Sequence, residues 1–121
     1  MSYTIKEVKC YPHPADTVLQ AVLGAIEGLA AKIISQNKTA GHLEVQFDKK
    51  ILGKVLGERT RMEIKIDALS PEESSLALSA YPLDALGRRL MFGARKGVTR
   101  TVLNWFTAHL EHRLPNKQNQ N

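Results

Sequence analysis

The densest chemistry in this 121-residue sequence is positive charge. Arg88, Arg89, Arg95, Lys96 and Arg100 fall within thirteen consecutive residues that hold no acid. Residues 85–121 carry seven Lys or Arg and one acid, a net of +6; residues 1–84 carry ten against eleven, a net of −1. The whole excess of +5 therefore sits in the last third. Such clustering concentrates phosphate, anionic lipid or nucleic acid. The plain alternative is a solvated basic loop that keeps the chain dispersed. Two stretches beside these and other cations are more apolar than surface loops usually are. Lys49–Gly57 reads KKILGKVLG and holds Leu52 and Leu56, and Ala85–Gly97 reads ALGRRLMFGARKG and holds Leu90, Met91 and Phe92. Either both are strand extensions with glycine bulges that cover the open end of the core, or they form a pair of flaps over a cavity or an apolar edge, rimmed by cations, that touches a membrane surface. Long basic stems can cover apolar surface while keeping their charge in water. Both alternatives place the two stretches near each other.

Other reactive groups are scattered. Gly93-Ala94-Arg95-Lys96-Gly97-Val98-Thr99 precedes a helical pattern but fails as a phosphate-binding P-loop, because its glycines are too close and no Lys-Ser/Thr pair follows the second. A glycine that leads into a helix still offers backbone N–H groups to an anion beside Arg95, Lys96 and Arg100. His109 and His112 share a helical surface without a third metal ligand, His109 toward the apolar face and His112 toward the polar one. Cys10, the single cysteine, permits no internal disulfide and reads as a small buried hydrophobe. Ser79, Tyr81, Asp84 and Glu111 form no recognisable nucleophile–base or paired-carboxylate set, so an enzyme is disfavoured without being excluded. Nucleic acid is disfavoured too. Phe92 lies within the basic stretch, but Trp105 sits on a helix that must pack, and the strands lack exposed aromatics. No cofactor and no metal is expected.

The elements that would position these groups follow from periodicity. Residues 3–11, 31–36, 42–48, 60–68 and 75–81 read as strands. Two alternate cleanly, with Leu43, Val45 and Phe47 inward on one, and Met62, Ile64 and Ile66 inward on the other. Pro14 and Asp16 open a helix carried by Val18, Leu19, Val22, Leu23, Ile26 and Leu29, with a small-residue stripe at Ala21, Gly24, Ala25 and Gly28. A second, longer helix has Val98, Val102, Leu103, Phe106, Leu110 and Leu114 on one face, and Pro115 ends it. The order is β-α-β-β-β-β-α: an α+β domain with an antiparallel sheet of four to five strands and two helices packed on one face. Residues 1–114 are expected to form this single domain and 115–121 a disordered tail. No apolar run approaches the roughly 20 residues of a membrane span, and the N-terminus lacks a signal-peptide core, so a cytoplasmic location is expected, with peripheral membrane contact allowed.

The opening strand, the Pro14-Ala15-Asp16 lead into a helix, the meander and the long closing helix resemble the TATA-binding-protein-like fold. They also resemble a shortened helix-grip pattern, that of plant allergen and lipid-transfer (START-like) proteins, over about residues 3–114. The helix-grip resemblance implies an apolar ligand between a curved sheet and the closing helix, although the extra strands and inserted helices that enlarge that cavity are missing here. A second resemblance is to small uncharacterised bacterial domains with the same element order. One such family has an Arg-Ser-x-Ser-Arg-x-Gly motif before its last helix. Here the matching region, residues 79–88, keeps only Gly87 and an arginine, so no functional residue is carried over.

The expectation from these residues is a non-catalytic binding module for a small amphipathic or anionic, lipid-like ligand. Arg88, Arg89, Arg95, Lys96 and Arg100 would meet the anion, and Leu52, Leu56, Leu90, Met91 and Phe92 the apolar part or a partner. The alternative is a homo-oligomeric interaction module, most simply a homodimer, that covers open sheet edges.

Overall fold

The computed structural model describes residues 3–115. Five strands, β1 (Ile5–Tyr11), β2 (Lys32–Asn37), β3 (His42–Phe47), β6 (Thr60–Ser70) and β7 (Glu73–Pro82), form one antiparallel sheet in the order β1-β7-β6-β3-β2. A short hairpin, β4 (Lys50–Ile51) and β5 (Lys54–Val55), is inserted between β3 and β6. Helix α1 (Ala15–Gly28) carries the chain from β1 at one edge to β2 at the other, and α2 (Val98–His112) closes the same face. The element order and the two-layer α+β architecture match the expectation, with this small hairpin added.

Alternation decides which residues make the core. Across the central strands Leu43 stands opposite Ile64 and Ile64 opposite Leu78; Val45 stands opposite Met62 and Met62 opposite Ala80. All six are buried and point at the helices. From α1 come Val18, Ala21, Val22, Ala25 and Ile26; from α2 come Val102, Leu103, Phe106 and Leu110. Phe106 meets Phe47 edge to face at 6.1 Å, a favoured aromatic geometry. Phe47, Met62, Leu103 and Phe106 expose no surface at all, so no water-sized space adjoins them beneath α2. The smallest residues of α1 have their own use. A side chain at Gly24 or Gly28 would run into the stem and guanidinium of Arg113, which lies across that stripe from the end of α2.

Two expectations are corrected. Cys10 is exposed rather than buried. In β1 the residues Ile5, Glu7, Lys9 and Tyr11 take the helix side, and Lys6, Val8 and Cys10 the open side. Pro14 is the N-cap of α1 rather than its first helical residue, and its carbonyl accepts the Val18 N–H. Gly28 is the last residue of α1, and the left-handed turn that follows falls on Ala30. The tail expected to be disordered lies, apart from Pro115, outside the described residues.

Candidate functional site

The two apolar stretches do meet. Arg59, just before β6, donates to the carbonyls of Asp84 and Ala85, and the Leu83 N–H returns to the Arg59 carbonyl. Glu58 accepts the Arg95 N–H at 2.7 Å. Gly57, at φ +92°, leaves the space that the Arg95 side chain fills; a Cβ there would strike its guanidinium. The 49–57 stretch is the strand-extension alternative in a compact form. Leu52 and Gly53 both have positive φ, the two-residue turn suited to a tight hairpin. Ile51 is buried and Leu56 packs on the core, while Leu52 stays exposed.

The five cations do not gather at one point. Residues 82–90 fold back on themselves through the Leu83–Arg89 bridge and the Leu90 N–H to Pro82 carbonyl bond. There Asp84 accepts the N–H groups of Leu86 and Arg88 and pairs with the Arg88 guanidinium at 3.2 Å. Those bonds, the Arg88 N–H foremost, hold the Asp84 carboxyl below its ordinary range. Arg89 stacks over the Tyr81 ring at 4.0 Å, a cation–π contact. The other three cations lie at the start of α2. Arg100 is paired with Glu7 of β1 at 2.6 Å. Arg95 and Lys96 form no ion pair among the described residues.

Around these three runs a groove of about 390 Å³, lined by Tyr3, Ile5, Ala94, Arg95, Lys96, Gly97, Thr99 and Arg100. Helix α2 opens there on Gly97 at φ +80°, with no side-chain cap and no acid in its first turn. The positive end of the helix and its first N–H groups thus face the same space as the cations. Thr99 is 8% exposed, and its hydroxyl bonds to nothing among the described residues.

Of the expected apolar contacts, Leu56 and Leu90 are half-buried and only Leu52, Met91 and Phe92 stand out in solvent. Leu52 borders a different, smaller groove with Leu29, Ile51, Lys54, Trp105 and His109. Tyr3, Ile5 and Thr99 were not among the residues singled out in the sequence. Tyr3 and Ile5 reach the groove only because β1 runs beside α2, which local patterning does not reveal. Thr99 carried a faint signal, as a hydroxyl two residues past the glycine that caps the helix.

The sheet with α1 and α2 across one face has a helix-grip, START-like fold, and the solved structures that it matches share it. One is an uncharacterised protein from Bacillus thuringiensis (TM-score 0.57, 9% identity, covering 89% of this chain and 93% of that one). A second is Ara h 8.0201 (TM-score 0.54, 14% identity, 96% and 100% covered). A third is a START superfamily protein from Mycobacterium smegmatis (TM-score 0.52, 10% identity, 92% and 96% covered). At these identities the likeness is one of fold. No protein-family model and no curated protein sequence matches the chain.

Proposed function

We propose that this protein is a non-catalytic binding module for a small ligand with an anionic head and an apolar body, held at the start of α2. The observation that carries this is the placing of the Arg95 and Lys96 side chains, which form no ion pair among the described residues, beside the Thr99 hydroxyl and an apolar floor of Tyr3 and Ile5. The groove lies near the small end of the roughly 300–1,000 Å³ typical of ligand sites. Among the described residues its lining holds no histidine and no carboxylate, which suits holding an anion rather than transferring a proton. Nothing of ligand size fits under α2 beside the fully inaccessible Phe47 and Phe106, so the ligand sits at the helix end instead of in the grip itself.

Decyl phosphate is a suitable probe. Native mass spectra of the full chain should show one bound copy that is lost on denaturation. Arg95→Ala with Lys96→Ala should weaken binding about tenfold or more, as expected when charge-assisted bonds are removed from a partly exposed site. Rising ionic strength should weaken it as well. Unchanged affinity in the double variant would sink the assignment.

A homo-oligomeric module has an observation of its own. β1 is an unbulged edge strand with Val8 exposed, whereas the opposite edge, β2, is interrupted by a bulge between Ile33 and Ser35. Unpaired edges of the first kind invite strand pairing. A monomer across micromolar concentrations in sedimentation would remove this second reading.

A further inference from the structure

Beyond the ligand groove, one segment has exposed apolar side chains that pack on little of the molecule. Phe92 is 85% exposed, Met91 next to it 52%, and Leu86 on the preceding turn 77%. Large apolar groups left in water in this way mark contact surfaces. The same segment, Ala85–Gly97, holds Arg88, Arg89, Arg95 and Lys96 and no acid. Among the described residues only the Arg88 side chain is neutralised by a carboxylate, that of Asp84.

We infer that this segment docks the protein on an anionic bilayer surface. Met91 and Phe92 enter the boundary between headgroups and acyl chains, and Arg95 and Lys96 meet the lipid phosphates. The charge and the apolar groups together select this occupant. A small soluble anion would use the cations but leave Phe92 in water. A neutral apolar protein surface would cover Phe92 but desolvate two cations without recompense. An anionic bilayer offers phosphates above hydrocarbon, and cationic stems beside a protruding aromatic match that layering. Each cation near such a surface contributes about 1 kcal/mol, close to a fivefold gain in partitioning. Burial of a phenylalanine adds more than tenfold when complete. Attachment is therefore reversible and salt-sensitive, since one small apolar anchor and a few cations fall far short of irreversible insertion.

The surface shares Arg95 and Lys96 with the ligand groove, so Phe92 is the discriminating position. The full chain should sediment with vesicles of equal parts phosphatidylcholine and phosphatidylglycerol and stay in solution with phosphatidylcholine alone. Phe92→Asp should lower partitioning at least tenfold while leaving decyl phosphate affinity unchanged, because Phe92 does not line the groove. Arg95→Ala with Lys96→Ala should lower partitioning about 25-fold. In a Trp105→Phe background, Phe92→Trp should show a blue shift in emission when anionic vesicles are added. Equal partitioning onto both vesicle types would overturn the inference, as would full partitioning by Phe92→Asp. A Phe92→Asp protein that instead loses a dimer in sedimentation, with no vesicle binding in the parent chain, would assign the patch to self-association. Loss of decyl phosphate binding with vesicle binding intact would count against the ligand groove alone.

Discussion

At its C-terminal end α2 is tied down on every side. Leu110 is fully buried, Glu111 accepts the Tyr11 hydroxyl from β1 at 2.8 Å, and Arg113 lies across the glycines of α1 while donating to the His109 carbonyl at 2.9 Å. At its N-terminal end the same helix begins on a left-handed glycine with no cap, beside cations that its own dipole disfavours. One end spends its polar groups on internal partners, and the other leaves them facing solvent. Natural sequences break local rules mainly where something else is gained. The uncapped end is therefore where an external anion would supply the missing acceptors.

The largest effect that tests this contrast falls on the closed end. Leu110→Ala should cost about 2–5 kcal/mol, the range for emptying a fully buried leucine site, read as a drop in denaturation midpoint at constant slope. Replacing Arg95 and Lys96 should leave the midpoint almost unmoved, since both are exposed and neither side chain forms an ion pair among the described residues. A comparable loss at both ends would erase the distinction.

The Tyr11–Glu111 tie gives a smaller effect with a pH signature. Burial first, then the bond to Glu111 and its charge, push the Tyr11 phenol well above its ordinary value. The folded state then keeps a proton that the unfolded chain releases near the usual value of about 10. Stability from this group is complete below that value and is lost as pH rises above it toward the folded pKa. Tyr11→Phe should cost about 1 kcal/mol at neutral pH, the usual worth of one hydrogen bond. It should also flatten the alkaline fall in melting temperature. An unchanged alkaline profile in Tyr11→Phe would show that other groups set it.

Much of the closed end was legible in the sequence, and little of the open end was. The inward sets on β3, β6 and α2 follow from periods of two and 3.6 that survive into the structure. The hairpin at residues 50–55 was not legible. Its turn is Leu52-Gly53, and a leucine at positive φ carries none of the Asn-Gly or Asp-Gly signal that marks such turns. Cys10 was misplaced because β1 turns its mixed polar residues toward the helices at the sheet edge, where Glu7 reaches Arg100. Among the cations, sequence proximity could not tell Arg88 and Arg89, taken up by Asp84 and Tyr81, from Arg95 and Lys96, which are not. That division depends on how residues 82–90 fold back, a fact of tertiary structure.

The smallest expected effect lies where α1 leaves the core. Ala30 is exposed and sits at φ +55°, after Leu29 and before the Ala31 N–H that bonds back to the Ile26 carbonyl. This is the left-handed position that ends many helices and that glycine occupies without cost. An alanine there pays roughly 1–2 kcal/mol for its Cβ, part of which glycine returns through the greater freedom of its unfolded chain. Ala30→Gly should therefore raise stability by about 0.5–1 kcal/mol, a few degrees in melting temperature for a domain of this size. It should leave both the ligand groove and the 85–97 segment untouched, because residue 30 lines neither. A decrease in stability would mean that the left-handed turn is set by contacts of the Ala30 methyl. In that case the junction between α1 and β2 belongs with the packed end of the molecule, and the boundary between its closed and open regions lies further along the chain.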